Sequence, residues 1–311
     1  MPVVVKEGIQ LVSGNFGELV LQIASVVIPV FSIIGVGFLF ARWQKSPDIR
    51  FTTDFITYIA APSLVFYSLL DKELTYDNFY PILASSATVA ILGITLGLFT
   101  ARKLARGSPA ATLTVAFMNS GNMGLPVCYF AFGREGLAAA TIFFVAMSIF
   151  HYTVGSVIAG GKGKLKEALF LPLTPAAVIA IILNRAQVSL PLVIERPVEL
   201  LANSAIPLML FTLGVRLFTI KVHDKGTSLA LGAVRFLVGL TAGLACVYFF
   251  RLQGTPAYVV ILQATMPPAI FNFILCEKFG KGPELAASTI LAGTILSVFT
   301  IPLLLYIILS L

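Results

Sequence analysis

Two stretches decide the architecture of this chain. One is Ala116-Phe117-Met118-Asn119-Ser120-Gly121-Asn122-Met123-Gly124-Leu125-Pro126; the other is Gln263-Ala264-Thr265-Met266-Pro267-Pro268, followed one turn on by Asn272. Both fall at the middle of long apolar runs, about residues 109–132 and 256–278. Glycine is a poor helix former, and proline removes an amide donor and collides with the carbonyl four residues back. Each run therefore predicts a helix broken at its centre. The second half-helices should begin near Asn122, before Pro126, and near Thr265 or Met266, before Pro267. Ser108 and Pro109 suit the N-cap and first position of the earlier run, and Thr255-Pro256 opens the later one.

Composition says what surrounds these breaks. Of 311 residues, 58% are hydrophobic and 11% charged, and the mean hydropathy is +0.96. A soluble domain is about a quarter charged, so these charges cannot cover a soluble globule. A membrane span takes roughly 20 apolar residues, which leaves material for about nine or ten. Soluble enzymes and nucleic-acid binders are excluded; the surrounding partner is a lipid bilayer. Cys128, Cys246 and Cys276 lie in apolar stretches without metal-ligand spacing and read as packing residues. The run about Leu19–Phe40 is too long for a signal-peptide core and lacks a small-x-small cleavage site, so it reads as the first span.

The fold class is all-α and polytopic, with ten spans predicted at about 18–41, 51–70, 79–101, 109–132, 136–158, 170–184, 197–218, 227–250, 256–278 and 284–309. The loops after the odd-numbered spans carry fourteen Lys and Arg residues, among them Arg42, Lys45, Arg50, Arg102, Lys164, Arg216 and Lys281. The termini and the remaining loops carry six: Lys6, Lys72, Arg134, Arg185, Arg196 and Arg251. By the positive-inside rule the odd loops are cytoplasmic and both termini extracytoplasmic.

The two halves, 1–158 and 159–311, echo each other. Pro29 answers Pro175, Ala61-Pro62 with Phe66 answers Ile206-Pro207 with Phe211, and Gly107-Ser108-Pro109-Ala110 answers Gly254-Thr255-Pro256-Ala257. Phe132-Gly133 and Leu137-Ala138-Ala139-Ala140-Thr141 likewise answer Phe279-Gly280 and Leu285-Ala286-Ala287-Ser288-Thr289. The order is constant and the offset nearly so. Five spans per half is an odd number, so the second half enters the membrane from the opposite side, as in the inverted repeats of many secondary transporters.

In hydrocarbon a broken helix is tolerated only where protein or a polar cavity satisfies its freed groups. As repeat mates, the two broken helices should cross near their breaks. Half-helix amino ends carry unpaired amides and partial positive charge, which suits an anion such as a carboxylate. The candidate site is therefore Asn119, Ser120, Gly121, Asn122 and Pro126 with Gln263, Thr265, Met266, Pro267, Pro268 and Asn272.

Ionisable residues inside the spans are the default coupling candidates. His151, inside the fifth span, could carry a proton or sit as a neutral hydrogen-bonded core residue. Arg235, two turns into the eighth, could snorkel or offer an anion a charged partner. Asp54 reads as a cap or a partner of Arg50. No acidic pair meets at the midplane, so a sodium site would use Asn119, Gln263, Thr265 and carbonyls. Sodium coupling, proton coupling and uniport all stay open, and no cofactor or metal is implied. With His151 and His223 as the histidines and no facing acids, no catalytic set is assembled; nor is there a phosphate-binding Gly-x-x-x-x-Gly-Lys-Ser/Thr loop. A channel is the remaining alternative class.

The run Asn119-Ser120-Gly121-Asn122-Met123-Gly124-Leu125-Pro126 followed by Phe132-Gly133 resembles the signature of the auxin efflux carrier family, and the resemblance extends over essentially the whole chain. That family includes plant auxin carriers and bacterial permeases for small carboxylates such as malonate, and shares its fold with bile acid/sodium symporters. The resemblance implies a secondary transporter of a small organic anion working by an elevator motion. It implies a scaffold of helices at 18–70 and 170–218 that forms a homodimer, and a moving core at 79–158 and 227–309. Asn119, Asn122 and Pro126 match the family's crossover motif, and Pro267 and Pro268 its counterpart. A sodium-coupled organic anion symporter is the alternative within this fold. Only about Gly160–Glu167 joins the halves here, where plant carriers have a long hydrophilic loop; that points to a microbial permease.

Overall fold

Proline, glycine and short charged links set the helix ends. The computed structural model describes residues 16–45, 47–70, 78–162 and 165–309. Lys6, Lys72 and Lys164, counted above for topology, lie outside the described residues. Helix α1 spans Phe16–Trp43; α2, Arg50–Phe55, passes through a π-turn at Ile56–Ala60 into α3, Ala61–Leu69. The wider turn precedes Pro62, whose ring would crowd a regular turn. Then come α4 (Phe79–Leu104), α5 (Pro109–Ala116), a π-turn at Ser120–Gly124, α6 (Leu125–Phe150), a π-turn at His151–Gly155, and α7 (Ser156–Ile158). A short α8 (Leu165–Phe170), not foreseen in the link, precedes α9 (Leu173–Arg185) and α10 (Leu192–Thr219). Finally α11 (Lys225–Phe249), α12 (Gly254–Thr265), α13 (Ile270–Phe279) and α14 (Pro283–Leu309) complete the chain.

Among the described residues, six helical stretches are long and apolar enough to cross a membrane. One of them, Ser120–Ile158, has 39 residues; as a straight rod it would be about 58 Å long, well beyond a bilayer core. It bends at Phe132 (φ −131°, ψ 15°) and Gly133 (φ 62°, ψ −146°), where the sequence separates the fourth and fifth spans. Gly133 adopts a backbone that a side chain would strain. The other expected spans are short, as α9 is, or jointed: α2–α3, α5 with the start of α6, and α12–α13. Leu21, Ile28, Phe99, Leu200 and Phe299 project outward unburied, a surface suited to lipid, and this is an integral membrane protein.

Packing divides the helices into two groups. In one, α1 lies along α10, and α3 packs on α9 and α10. In the other, α4 packs on α5, α6 and α11, and α11 also packs on α12 and α14. Small residues make the closest approaches, as expected where helices pack without a hydrophobic drive. A methyl on Gly93 or Gly97 of α4 would press on the Ala116 or Thr112 carbonyl of α5. On Gly239 or Gly243 of α11 it would press on Ala264 or Ile261 of α12.

Two local expectations need correction. Ser108 holds the N-cap position of α5, but its side chain makes no capping bond. Arg50 pairs not with Asp54 but with Asp48, at 2.7 Å, and Arg50 holds the Asp48 carboxyl below its ordinary range.

Candidate functional site

Met266 precedes Pro267, and Pro267 precedes Pro268. The helical region is disfavoured for a residue before proline, here with a second proline following, and Met266 is extended (φ −56°, ψ 147°). Helix α12 thus ends at Thr265, and the chain turns helical again only at Ile270. The first break contains no proline. Phe117 is extended (φ −112°, ψ 120°) because the other break lies against it. Asn119 N–H donates to the Pro267 carbonyl at 2.7 Å, Ala269 N–H donates to the Phe117 carbonyl at 3.1 Å, and Met118 and Pro268 pair antiparallel between them. Each interruption satisfies backbone groups that the other frees, which is how non-helical chain survives at membrane depth.

The restart points therefore differ from expectation. The first lies at Ser120 rather than Asn122, and Pro126 is not the breaker. Pro126 sits at the start of α6, just past a π-turn in which Gly124 N–H reaches back to the Asn119 carbonyl at 3.0 Å. The wider turn before it makes room for the proline ring, as it does before Pro62. The second restart follows both prolines instead of preceding them.

Beside this crossing lies a cavity of about 200 Å³. One wall is the first break, Met118–Asn122; another is the start of the restarted helix, Ala269–Phe271. Ser148, His151 and Tyr152 close it from α6 and the π-turn after it, Thr53 and Thr57 from the α2–α3 segment, and Thr212 and Arg216 from α10. Among the described residues Arg216 is its one charged lining group, and none of its lining residues is a carboxylate. Arg216 donates to Thr53 Oγ1 at 3.2 Å. Asn119 is 5% exposed and its Nδ2 has no partner among the described residues. A buried amide donor left unpaired is expensive, and beside a cavity it marks where an acceptor fits.

Of the residues singled out from sequence, Asn119, Ser120, Gly121, Asn122 and His151 line this cavity. Asn272 is buried behind it and ties the crossing together: Nδ2 donates to the Phe117 carbonyl at 3.0 Å, and Oδ1 lies 2.7 Å from His151 Nε2. Because the carbonyl can only accept, the amide oxygen faces the imidazole, so His151 donates through Nε2. The ring also stacks on Phe117 at 4.3 Å between centroids. Thr265 turns its hydroxyl back to the Ile261 and Leu262 carbonyls of its own helix, and Gln263 lies against Gly124 with its Oε1 unpaired. Neither lines the cavity, nor do Pro126, Met266, Pro267 and Pro268.

Arg235 does not snorkel. It is 0% exposed, and its guanidinium donates to the carbonyls of Val115 and Ala116 at the end of α5 and of Ala264 near the end of α12. The sequence reading missed Arg216, counting it as a loop charge, and with it Thr53, Thr57, Ser148, Tyr152 and Thr212. The available signal was an arginine inside the apolar run Leu213-Gly214-Val215-Arg216-Leu217-Phe218.

Two further cavities flank the first. One, of about 270 Å³, shares Arg216 and Ile270 with it and adds Lys221, Glu277 and Glu284. The other, of about 220 Å³, lies toward the opposite end of α10, lined by Tyr67, Ser68, Arg134, Glu199 and Asn203. Between that cavity and the central one, Ser68 and Thr141 share a hydrogen bond at 3.1 Å that joins α3 to α6.

The sequence pattern of a family described as membrane transport protein matches residues 22–168 and 161–305. An uncharacterized transporter of Methanothermobacter thermautotrophicus is 28% identical over 298 residues, covering 92% of this chain and 94% of that one. A putative malonate transporter of Rhizobium meliloti is 29% identical over 323 residues, covering 93% and 97%. Auxin efflux carrier component 3a of Oryza sativa subsp. japonica is 28% identical over 130 residues, 41% of this chain and 21% of the plant protein.

Proposed function

The chain belongs to the membrane transport protein family of auxin efflux carrier-like proteins, and from that premise we propose that it is a secondary transporter carrying a small organic anion, a carboxylate, bound at the crossing of its two broken helices. One observation carries this reading. Among the described residues, the cavity beside the crossing presents a cation, Arg216, and a buried unpaired amide donor, Asn119 Nδ2, and no lining carboxylate. The amino ends of the helices that restart at Ser120 and Ile270 add about half a positive charge each. Such a site favours an anion over a cation or a neutral solute. The name of the Rhizobium relative, a putative malonate transporter, supports a small carboxylate.

In this reading ten spans form two inverted five-helix repeats. The recurrence of the glycine contacts supports it, since Gly93 and Gly97 against α5 are matched by Gly239 and Gly243 against α12. The α1, α2–α3, α9 and α10 group would be the scaffold and dimer face, and the α4–α7 and α11–α14 group the moving core. The core would shift the site between the Arg216–Glu277 cavity and the Tyr67–Glu199 cavity, exchanging contacts such as Ser68–Thr141 on the way. With both termini extracytoplasmic, the former faces the cytoplasm.

Uptake of radiolabelled malonate and other small carboxylates into proteoliposomes tests the reading. Asn119→Ala and Asn122→Ala should abolish uptake at unchanged reconstitution. Wild-type rates in both variants would remove the site assignment, and single-channel currents would replace the carrier with a channel.

A further inference from the structure

Arg235 is an unusual object: a fully buried arginine inside a membrane helix that forms no ion pair among the described residues. A charge at the bilayer centre is costly and is kept where it has a partner or a task. Its partners here are three main-chain carbonyls. Nη1 takes Val115 and Ala116, the latter at 3.0 Å, and Nη2 takes Ala264 at 2.6 Å. These are the last carbonyls of α5 and α12, the two half-helices that run into the crossing. Gly239, one turn along α11, leaves the room, since a methyl there would collide with the Ala264 carbonyl and with Nη2.

A helix carboxy end carries about half a negative charge, so two converging ends present about one, the charge of a single guanidinium. In transporters built on broken helices, half-helix carboxy ends and unwound carbonyls are where a coupling sodium ion or proton binds. We propose that Arg235 is a tethered counter-cation: it permanently fills the place a mobile sodium ion would take at the two carboxy ends, so the anion binds at the amino ends without sodium. The arginine touches no transported solute in this scheme. It is a positioning residue that keeps α5 and α12 pointed at one spot and leaves the positive amino ends uncompensated until the anion arrives. The inference rests on the transporter reading only for what the site binds; the charge balance at the carboxy ends stands on the geometry.

The test uses purified full-length protein with malonate as the probe, in sodium chloride and in N-methylglucamine chloride at equal ionic strength. For the wild type, malonate affinity and the unliganded melting temperature should be the same in both salts, within roughly twofold for affinity. In Arg235→Ala, loss of charged hydrogen bonds should weaken malonate binding about tenfold or more. Millimolar guanidinium should restore both binding and melting temperature, and tetramethylammonium should not. Arg235→Lys, which keeps the charge, should retain most of the affinity in either salt. A wild type that binds malonate several times more tightly in sodium, or is stabilised by sodium when unliganded, overturns the proposal; so does an alanine variant that binds like wild type without added cation. If the alanine variant does not fold, the wild-type salt comparison and the lysine variant still decide. If no carboxylate shifts or is carried by the wild type, the proposed function falls, while the unliganded melting temperatures still judge Arg235.

Discussion

Replacing Asn272 by leucine isolates the link that locks the two breaks together. Asn272 is fully buried and makes two hydrogen bonds, at 3.0 Å to the Phe117 carbonyl and at 2.7 Å from His151. Each is worth about 1 kcal/mol net. The substitution leaves the two partners in different positions. The Phe117 carbonyl keeps the Ala269 N–H at 3.1 Å, so it is not orphaned. The His151 Nε2–H has no other acceptor among the described residues, and an unmet donor in a buried site costs about 1–3 kcal/mol. Asn272→Leu should therefore lose about 2–4 kcal/mol, most of it through His151. A double-mutant cycle with His151→Phe, which keeps the aromatic stack on Phe117, separates the terms. In the leucine background the second substitution should cost less by about 1–3 kcal/mol. Unfolding by SDS titration from mixed micelles measures all four proteins. If Asn272→Leu changes stability by less than about 0.5 kcal/mol, or if the two substitutions add, the crossing is not held by this pair.

Other sites give separate expectations. Gly239→Ala would drive a methyl into the Ala264 carbonyl and the Arg235 guanidinium, costing about 1–3 kcal/mol; the same titration reads it, and Gly35→Ala in α1, with open surroundings, is the control. Arg216→Gln should weaken carboxylate binding about tenfold or more by removing a charged donor from the cavity, measured as the ligand-induced rise in melting temperature. Asp224 accepts from Thr227 N–H at the start of α11, and that bond lowers its carboxyl pKa. A lowered carboxylate stabilises the fold above the unfolded value, about 3.9, and the contribution is lost as pH falls through the folded value. The melting-temperature deficit of Asp224→Ala should thus be greatest at neutral pH and shrink in strong acid.

Much of this was legible because hydrocarbon imposes simple rules. Apolar runs between charged links placed most of the long helices to within a few residues, with Phe79–Leu104 and Pro283–Leu309 near their expected bounds, though not the short α8. The second break was legible as well, since two successive prolines after Met266 remove two adjacent amide donors and disfavour the helical region at Met266 and Pro267. The first break was misplaced for the converse reason. Phe117 and Asn119 carry no local signal as strong as Pro126, and they leave the helix because Ala269 and Pro267, some 150 residues away, take their hydrogen bonds.

Sequence by itself determined the solvent, the approximate helix ends and the presence of two central interruptions, because composition, proline and glycine act on the chain locally. It also held the family signature. The tertiary structure alone decided which side chains meet. Arg216 and Arg235 both lie in apolar helices, yet one opens onto the cavity and the other is sealed against three carbonyls. That difference depends on which way each helix face points and on what packs there, and a linear pattern of charges does not encode the partner across the gap.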